Sequence, residues 1–202
     1  MSSKQDLRKT RTEYLINNAF SDLLKEKGSF SSITIKDITD KAMINRSTFY
    51  AHYLDKYDLL DKYASSIFTH IEQLPTITYE NQSNKSIEKQ LNTLFTQLFE
   101  HVATYSAFYK IMLHELPETR LKFEKFLETI MSDRLEKAKK QANPQSTINA
   151  ELRISEYYPC YLTGALLGVL TKWLENDMMY SPQYMGHIFN KIISVNFYDL
   201  SK

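Results

Sequence analysis

Glycine, proline and cysteine are scarce in this 202-residue chain, which has 4 Gly, 5 Pro and 1 Cys. So few glycines and prolines leave little material for hairpins and long loops, and this favours an all-helical chain. The single Cys160 excludes an intramolecular disulfide framework and any zinc site built from several thiolates. A reducing compartment suits such a chain, and the predicted location is the cytoplasm.

Long apolar runs and a strong charge of one sign are also missing. No stretch approaches the roughly 18–20 apolar residues that a membrane span needs, and the first residues lack the apolar core of a signal peptide. We therefore expect no membrane partner. The net charge of +1 is a poor guide to DNA binding, because DNA affinity depends on where Lys and Arg are placed. Residues 1–60 hold ten basic and eight acidic side chains, so the small basic excess is N-terminal.

Apolar residues recur at helical spacing along the first part of the chain. Thr34 followed by Asp37 is typical of a capping box at a helix start, Asn45 can cap the next helix, and Asp55 with Asp58 repeats the box. These signals predict four helices, over residues 7–27, 35–42, 45–53 and 55–72.

A polar, non-periodic stretch at residues 75–84 separates this part from a larger helical region. The apolar periodicity beyond it predicts further helices near residues 87–102, 108–117, 119–141, 150–177 and 182–197. We interpret the chain as an N-terminal module over residues 1–54, a connecting helix over 55–74 and a larger helical domain over 75–202.

Residues 34–60 resemble the helix-turn-helix of the TetR family and the start of the helix that follows it. The landmarks are Thr34, Ile38, Ala42, Asn45, the Phe49-Tyr50 pair, Tyr53, Lys56 and the Leu59-Leu60 pair. The resemblance implies an all-α fold, in which a three-helix DNA-binding domain is joined by a fourth helix to a larger domain for ligand binding and dimerisation. It also implies a homodimer that binds a double-stranded DNA operator and responds to a small-molecule effector.

The short third helix carries hydrogen-bond donors that suit phosphates and base edges, and such a helix can enter the major groove. Lys56, in the first turn of a helix, is electrostatically unfavourable there unless a phosphate lies alongside. The predicted DNA-binding residues are Thr34, Lys36, Asn45, Arg46, Ser47, Thr48, Tyr50, His52 and Lys56. Met43 and Ser47 stand where the family commonly has Gly, so we expect either that Met43 adopts a conformation that Gly enters more cheaply or that the turn differs slightly.

The last two helices resemble those of a TetR-type subgroup found in Firmicutes, some members of which regulate dihydroxyacetone kinase genes. In the family these helices form a four-helix dimer interface; the alternative is that both apolar stripes only close the core of one chain. The predicted interface residues are Leu162, Ala165, Leu166, Val169, Leu170, Trp173, Met185, Ile188, Phe189 and Ile192. Gly164 and Gly168 would let a second helix approach closely.

Aromatic residues are frequent in the larger domain, as the lining of an effector cavity between helices requires. The candidate pocket residues are Phe95, Phe99, Phe108, Tyr109, Met112, Phe126, Tyr157, Tyr158 and Tyr161. His101, His114 and Glu115 lack metal-ligand spacing, so no metal and no cofactor are predicted.

Three functions are weighed against these patterns. We expect a ligand-responsive transcriptional regulator, in particular a repressor that binds a palindromic operator as a homodimer. An adaptor with the same fold that acts through a protein partner is the alternative. An enzyme is not expected, because the sequence has no phosphate-binding loop, nucleophile elbow or paired-carboxylate motif.

Overall fold

The computed structural model describes residues 4–78, 84–141 and 157–198, and every regular element in these ranges is a helix. The helices are α1 Lys4–Lys27, α2 Ile35–Ala42, α3 Arg46–Tyr50, α4 Lys56–Glu72, α5 Asn84–Thr104, α6 Ser106–Glu115, α7 Pro117–Gln141, α8 Tyr158–Glu175 and α9 Pro182–Tyr198. The all-helical prediction is confirmed. Across the same ranges, no helix has the length and hydropathy to cross a membrane.

Most helices begin or end within three residues of their predicted bounds, and two of the differences have a definite origin. Helix α3 ends at Tyr50 rather than Tyr53; the chain turns after it, and the buried ring of Tyr53 lies 5.6 Å from that of Phe49. Helix α8 is described from Tyr158, and the predicted start near residue 150 lies outside the described residues.

The helices group into two compact units. One unit comprises the chain up to Ile67 together with Ala107–Arg120, and the other comprises Phe68–Ser106 and the chain from Leu121. Helix α6 therefore belongs with the N-terminal helices, where Phe108 meets the ring of Tyr63 at 5.7 Å. The functional boundaries at residues 54 and 74 stay a prediction.

The first unit is built on side chains that point inward from α1, α3 and α4. Ile16, Phe20, Phe49 and Leu59 are completely buried, and Phe20 meets Tyr63 edge-to-face at 5.2 Å. Burial of these side chains is worth about 1.5–3 kcal/mol each. Because Phe49 is the inward residue of α3, the opposite face of this short helix stays in solvent.

The second unit depends on close packing of α5 and α9. Phe95 of α5 and Phe189 of α9 are buried and meet edge-to-face at 4.8 Å. A Cβ atom at Gly186 of α9 would lie 2.6 Å from the backbone nitrogen of Thr96 on α5. Glycine at this position is what allows the two backbones to come so near.

Candidate nucleic-acid interface

The start of α2 is held by a complete capping box. The Thr34 hydroxyl accepts the backbone N–H of Asp37 at 3.2 Å, and the Asp37 carboxylate accepts the backbone N–H of Thr34 at 2.8 Å. The same carboxylate accepts hydrogen bonds from the Thr34 hydroxyl at 2.7 Å and the Lys27 ammonium at 2.6 Å. The bond from Lys27, followed by those from Thr34, lowers the pKa of Asp37 well below its usual range. The predicted box is confirmed, and it fixes Thr34, a predicted phosphate contact.

The turn between α2 and α3 passes through a left-handed residue. Met43 has φ 54° and ψ 44°, the conformation that its place in a glycine-preferring turn predicted, and its side chain is 92% exposed. Backbone hydrogen bonds from Met43 N to Asp40 O and from Ile44 N to Thr39 O close the turn. This geometry fixes the angle at which α3 leaves α2.

Five of the predicted DNA-binding residues lie on α3 or at its N-cap. Asn45, Arg46, Ser47 and Tyr50 are exposed, and Thr48 is half-buried. Asn45 occupies the N-cap position but makes no capping hydrogen bond with its side chain, so the predicted cap is only partly formed. The Arg46 guanidinium has no hydrogen bond or ion pair within the described chain. Amide, guanidinium and hydroxyl groups on one exposed helix face are the chemistry that reads phosphates and base edges.

Lys36 lies in the first turn of α2 and is also exposed. Its ammonium lies 3.0 Å from the Asp40 carboxylate, one turn further along the helix. An exposed pair of this kind contributes only a few tenths of a kcal/mol. Exchange of Asp40 for a DNA phosphate would therefore cost little.

Two predicted DNA contacts, His52 and Lys56, have partners inside the protein. The His52 side chain is only 10% exposed, and its Nδ1 lies 3.4 Å from Oε1 of Glu13 on α1. The Lys56 ammonium donates to the carbonyls of Phe30, Ser31 and Ile33, at 3.2, 3.3 and 2.9 Å.

The Lys56 ammonium also lies 4.6 Å from the centre of the Phe30 ring. An ammonium has three N–H donors, so these carbonyls occupy all of them. The loop between α1 and α2 therefore supplies partners to the Lys56 ammonium within the protein, and its contact with a phosphate stays a prediction. His52 likewise faces α1.

The candidate pocket residues are divided between the two compact units. Phe95 and Phe99 pack against Phe189, whereas the buried Phe108, Tyr109 and Met112 belong to the first unit. Phe126 stacks on Phe68 at 5.5 Å. Tyr157 and Tyr161 are 73% and 51% exposed, with Tyr158 stacked on Tyr161. Among the described residues, no group of three or more His, Cys, Asp or Glu side chains is placed to hold a metal ion.

The predicted interface residues fall into two groups. Leu166, Leu170, Trp173, Met185 and Phe189 are buried within the protomer, where Trp173 meets Phe99 at 5.1 Å. These five belong to the core of the protomer, as the alternative expected, and their place in a dimer interface stays a prediction. The residues that keep a surface are Leu162, Ala165, Val169, Ile188 and Ile192.

The exposed surface of α8 joins Lys172, which had no predicted role, to residues predicted for other roles: Tyr161 for the pocket, and Gly164 and Gly168 for close helix approach. Tyr161, Gly164, Gly168 and Lys172 are exposed at helical spacing, and a Cβ atom at either glycine would meet nothing within 4 Å. The i, i+3, i+7, i+11 spacing of these residues could have identified a second, less apolar face.

Comparison with known proteins points to one family. Residues 89–195, more than half of the chain, match a TetR-type family described as a transcriptional regulator C-terminal region. The chain is 28% identical over 196 residues to the uncharacterized HTH-type transcriptional regulator YxbF of Bacillus subtilis (strain 168). The match covers 96% of the chain and 47% of YxbF, so the chain spans about half the length of this curated relative.

Two solved structures have a similar fold. A TetR transcriptional regulator from Streptococcus agalactiae 2603V has a TM-score of 0.62 and 21% identity, with 94% of this chain and 97% of that chain covered. The dihydroxyacetone kinase operon activator DhaS has a TM-score of 0.63 and 17% identity, with coverage of 93% and 96%. At these identities the two structures support the fold.

Proposed function

Because the chain belongs to the TetR family of transcriptional regulators, we propose that it represses transcription by binding a palindromic operator as a homodimer, and that a small-molecule effector controls this binding. The observation that carries the DNA-binding role is the exposed face of α3, with Arg46 at its first position and Tyr50 at its last. We also propose that the chain acts in the cytoplasm.

Arg46 is the residue on which we place operator recognition. Its guanidinium is exposed, has no partner within the described chain, and can bind a guanine edge or a phosphate through two N–H groups. Tyr50 is exposed on the same short helix, and its ring packs edge-to-face on the buried Phe49 at 5.6 Å. This packing gives the Tyr50 hydroxyl a fixed position from which to contact the DNA backbone.

Selection of bound sequences from a random duplex library tests this assignment. The native chain should enrich a palindromic site, and Arg46→Ala should lose about 1–3 kcal/mol of binding to it. Lys25→Ala is the matched control, because Lys25 is an exposed cation of the same unit near the end of α1. Equal enrichment by native chain and Arg46→Ala would contradict the recognition surface, and no enrichment by any variant would favour a protein partner.

The homodimer is proposed to form through the exposed sides of α8 and α9. Leu162, Ala165 and Val169 of α8 and Ile188 and Ile192 of α9 keep surface in the protomer. A two-fold interface uses the same patch on both chains, so one charged substitution places two like charges in the interface. Two recognition helices related by this symmetry would read the two halves of a palindrome.

Sedimentation of Ile192→Glu tests the dimer. Ile192 is 45% exposed on α9, whereas Met179 is 73% exposed in the turn between α8 and α9, so Met179→Glu adds the same charge outside the proposed interface. We expect Ile192→Glu to shift the chain to monomer and Met179→Glu to leave the dimer intact. A dimer that survives Ile192→Glu at native strength would contradict this interface.

Effector control is proposed as a difference in effector affinity between dimers that can and cannot bind DNA. Binding of the dimer to an operator that overlaps a promoter then represses transcription. Transcription in vitro from the selected site, with and without the chain, tests the sign of the effect. An increase in transcript on addition of the chain would contradict repression.

A further inference from the structure

The N-terminal part of α1 extends beyond the core of its unit. The buried residues of α1 begin at Ile16 and continue through Ala19, Phe20, Leu23 and Leu24. Residues 6–11 are all exposed, so about two helical turns have no other described element packed on them. A helix end of this kind has no role in the core of its own unit.

Lys9 lies on the same side of α1 as the buried residues. At 3.6 residues per turn, Lys9 and Ile16 differ by only about 20° in direction, whereas Arg8 differs from Ile16 by about 80° and lies at the edge of this side. Had this side of the extension served packing, an apolar residue would be expected there. It has two cations, neither of which has an ion-pair partner within the described chain.

The exposed first turns of α1, residues 6–11, lie close to the residues that follow α3. Nδ1 of His52, two residues after α3, is 3.4 Å from Oε1 of Glu13. Lys9 precedes Glu13 by four residues, which is about 6 Å along the helix axis. Lys9 is about 40° from Glu13 in direction, and an extended Lys side chain covers a comparable distance, so Lys9 reaches the space beside the C-terminal end of α3. Arg8 is the neighbouring cation on the flank of the helix, about 140° from Glu13 in direction.

We propose that Arg8 and Lys9 bind backbone phosphates that flank the base pairs contacted by α3. This inference rests on the proposed DNA-binding function and extends its footprint to α1. Contacts of this kind add affinity that does not depend on sequence, and they position α3 in the groove. Arg11 differs from Ile16 by about 140° in direction and faces away from the core side, so it has no such contact.

The test is fluorescence anisotropy with a labelled mixed-sequence duplex of roughly 30 base pairs, about three turns of DNA. The variant is Arg8→Gln/Lys9→Gln. The matched control is Arg11→Gln/Lys25→Gln, which removes two exposed cations that point away from the core side of the same helix. Binding is measured between about 50 and 200 mM salt, and circular dichroism establishes that both variants keep the native helix content.

For each phosphate that the variant no longer binds, the slope of log K against log salt should become shallower by about 0.9, and affinity near 0.1 M salt should fall about eightfold. The control variant should keep the native slope. A native slope in Arg8→Gln/Lys9→Gln, or an equal fall in affinity in the control, would overturn the proposal.

The Arg46→Ala variant separates this inference from the proposed function. If the native chain binds its selected operator, Arg46→Ala binds it more weakly and Arg8→Gln/Lys9→Gln binds as native, only the α1 contact is overturned. If the native chain binds neither the mixed-sequence duplex nor any selected site, the DNA-binding function is overturned together with it.

Discussion

Substitution of Gly186 by alanine tests the packing of α5 against α9. In an ordinary helix interior, Gly→Ala stabilises by about 1 kcal/mol. Here the new Cβ would lie 2.6 Å from Thr96 N and 2.7 Å from its Cα, well inside the roughly 3.5–4.0 Å of a favourable contact. These are backbone atoms that no rotamer change can move, so the helices must separate.

Separation of the helices would loosen the ring contact between Phe95 and Phe189. Overpacking of a core costs typically about 1–3 kcal/mol, and we expect Gly186→Ala to lower the free energy of unfolding by about 2 kcal/mol. Urea denaturation followed by the fluorescence of the single Trp173 reports on the same unit, because this indole is 3% exposed.

Gly164→Ala is the matched control for this substitution. It adds the same methyl group to α8 at a position where a Cβ atom meets nothing within 4 Å, so stability should rise by up to about 1 kcal/mol. Both substitutions are made in the Ile192→Glu chain, because Gly164 lies on the side of α8 proposed for the dimer and association contributes to measured stability. Gly186→Ala with native or higher stability would refute the close approach of α5 and α9.

Lys56→Met should lower the free energy of unfolding by about 2 kcal/mol in urea denaturation, because three loop carbonyls lose a charged donor. Native stability would contradict a stabilising role for these three hydrogen bonds. Met43→Gly should raise the melting temperature through a gain of about 0.5–1 kcal/mol, since the left-handed backbone is strained for methionine; a lower melting temperature would argue against that strain. Burial, and then the charge of His70, lower the pKa of His101 to about 4. Below about pH 6.5 the His101 imidazole is protonated in the unfolded chain, whereas in the folded chain it stays neutral until about pH 4. Stability should fall from pH 6.5 towards 4, and an equally steep decline in His101→Gln would exclude this cause.

Signals that act within a few residues were readable from the sequence. Thr34 and Asp37 form the predicted box, and Met43 is left-handed. Asp55 accepts the backbone N–H groups of Tyr57 and Asp58, but the Asp58 carboxylate accepts Leu54 N rather than Asp55 N, so the second box is shifted by one residue. Local hydrogen bonds of this kind depend on spacing along one helix turn, and a pattern records that spacing directly.

Contacts between distant parts of the chain were not readable in this way. His52 and Lys56 are donors of the type that binds phosphate, and their positions favoured that role. Their partners in the fold are Glu13, 39 residues earlier, and carbonyls 23–26 residues earlier. Nothing in the local pattern indicates that these groups would be satisfied within the protein.

The sequence by itself determined that the chain is helical, where the helix-turn-helix lies and to which family it belongs. Only the tertiary structure decided which side of each helix is free. In α8, Leu170 and Trp173 face inward while Gly168 and Lys172 face solvent, although all four lie within one and a half turns. Periodicity shows which residues share a face, whereas burial depends on which other helix covers that face, and that is set by packing between residues far apart in the chain.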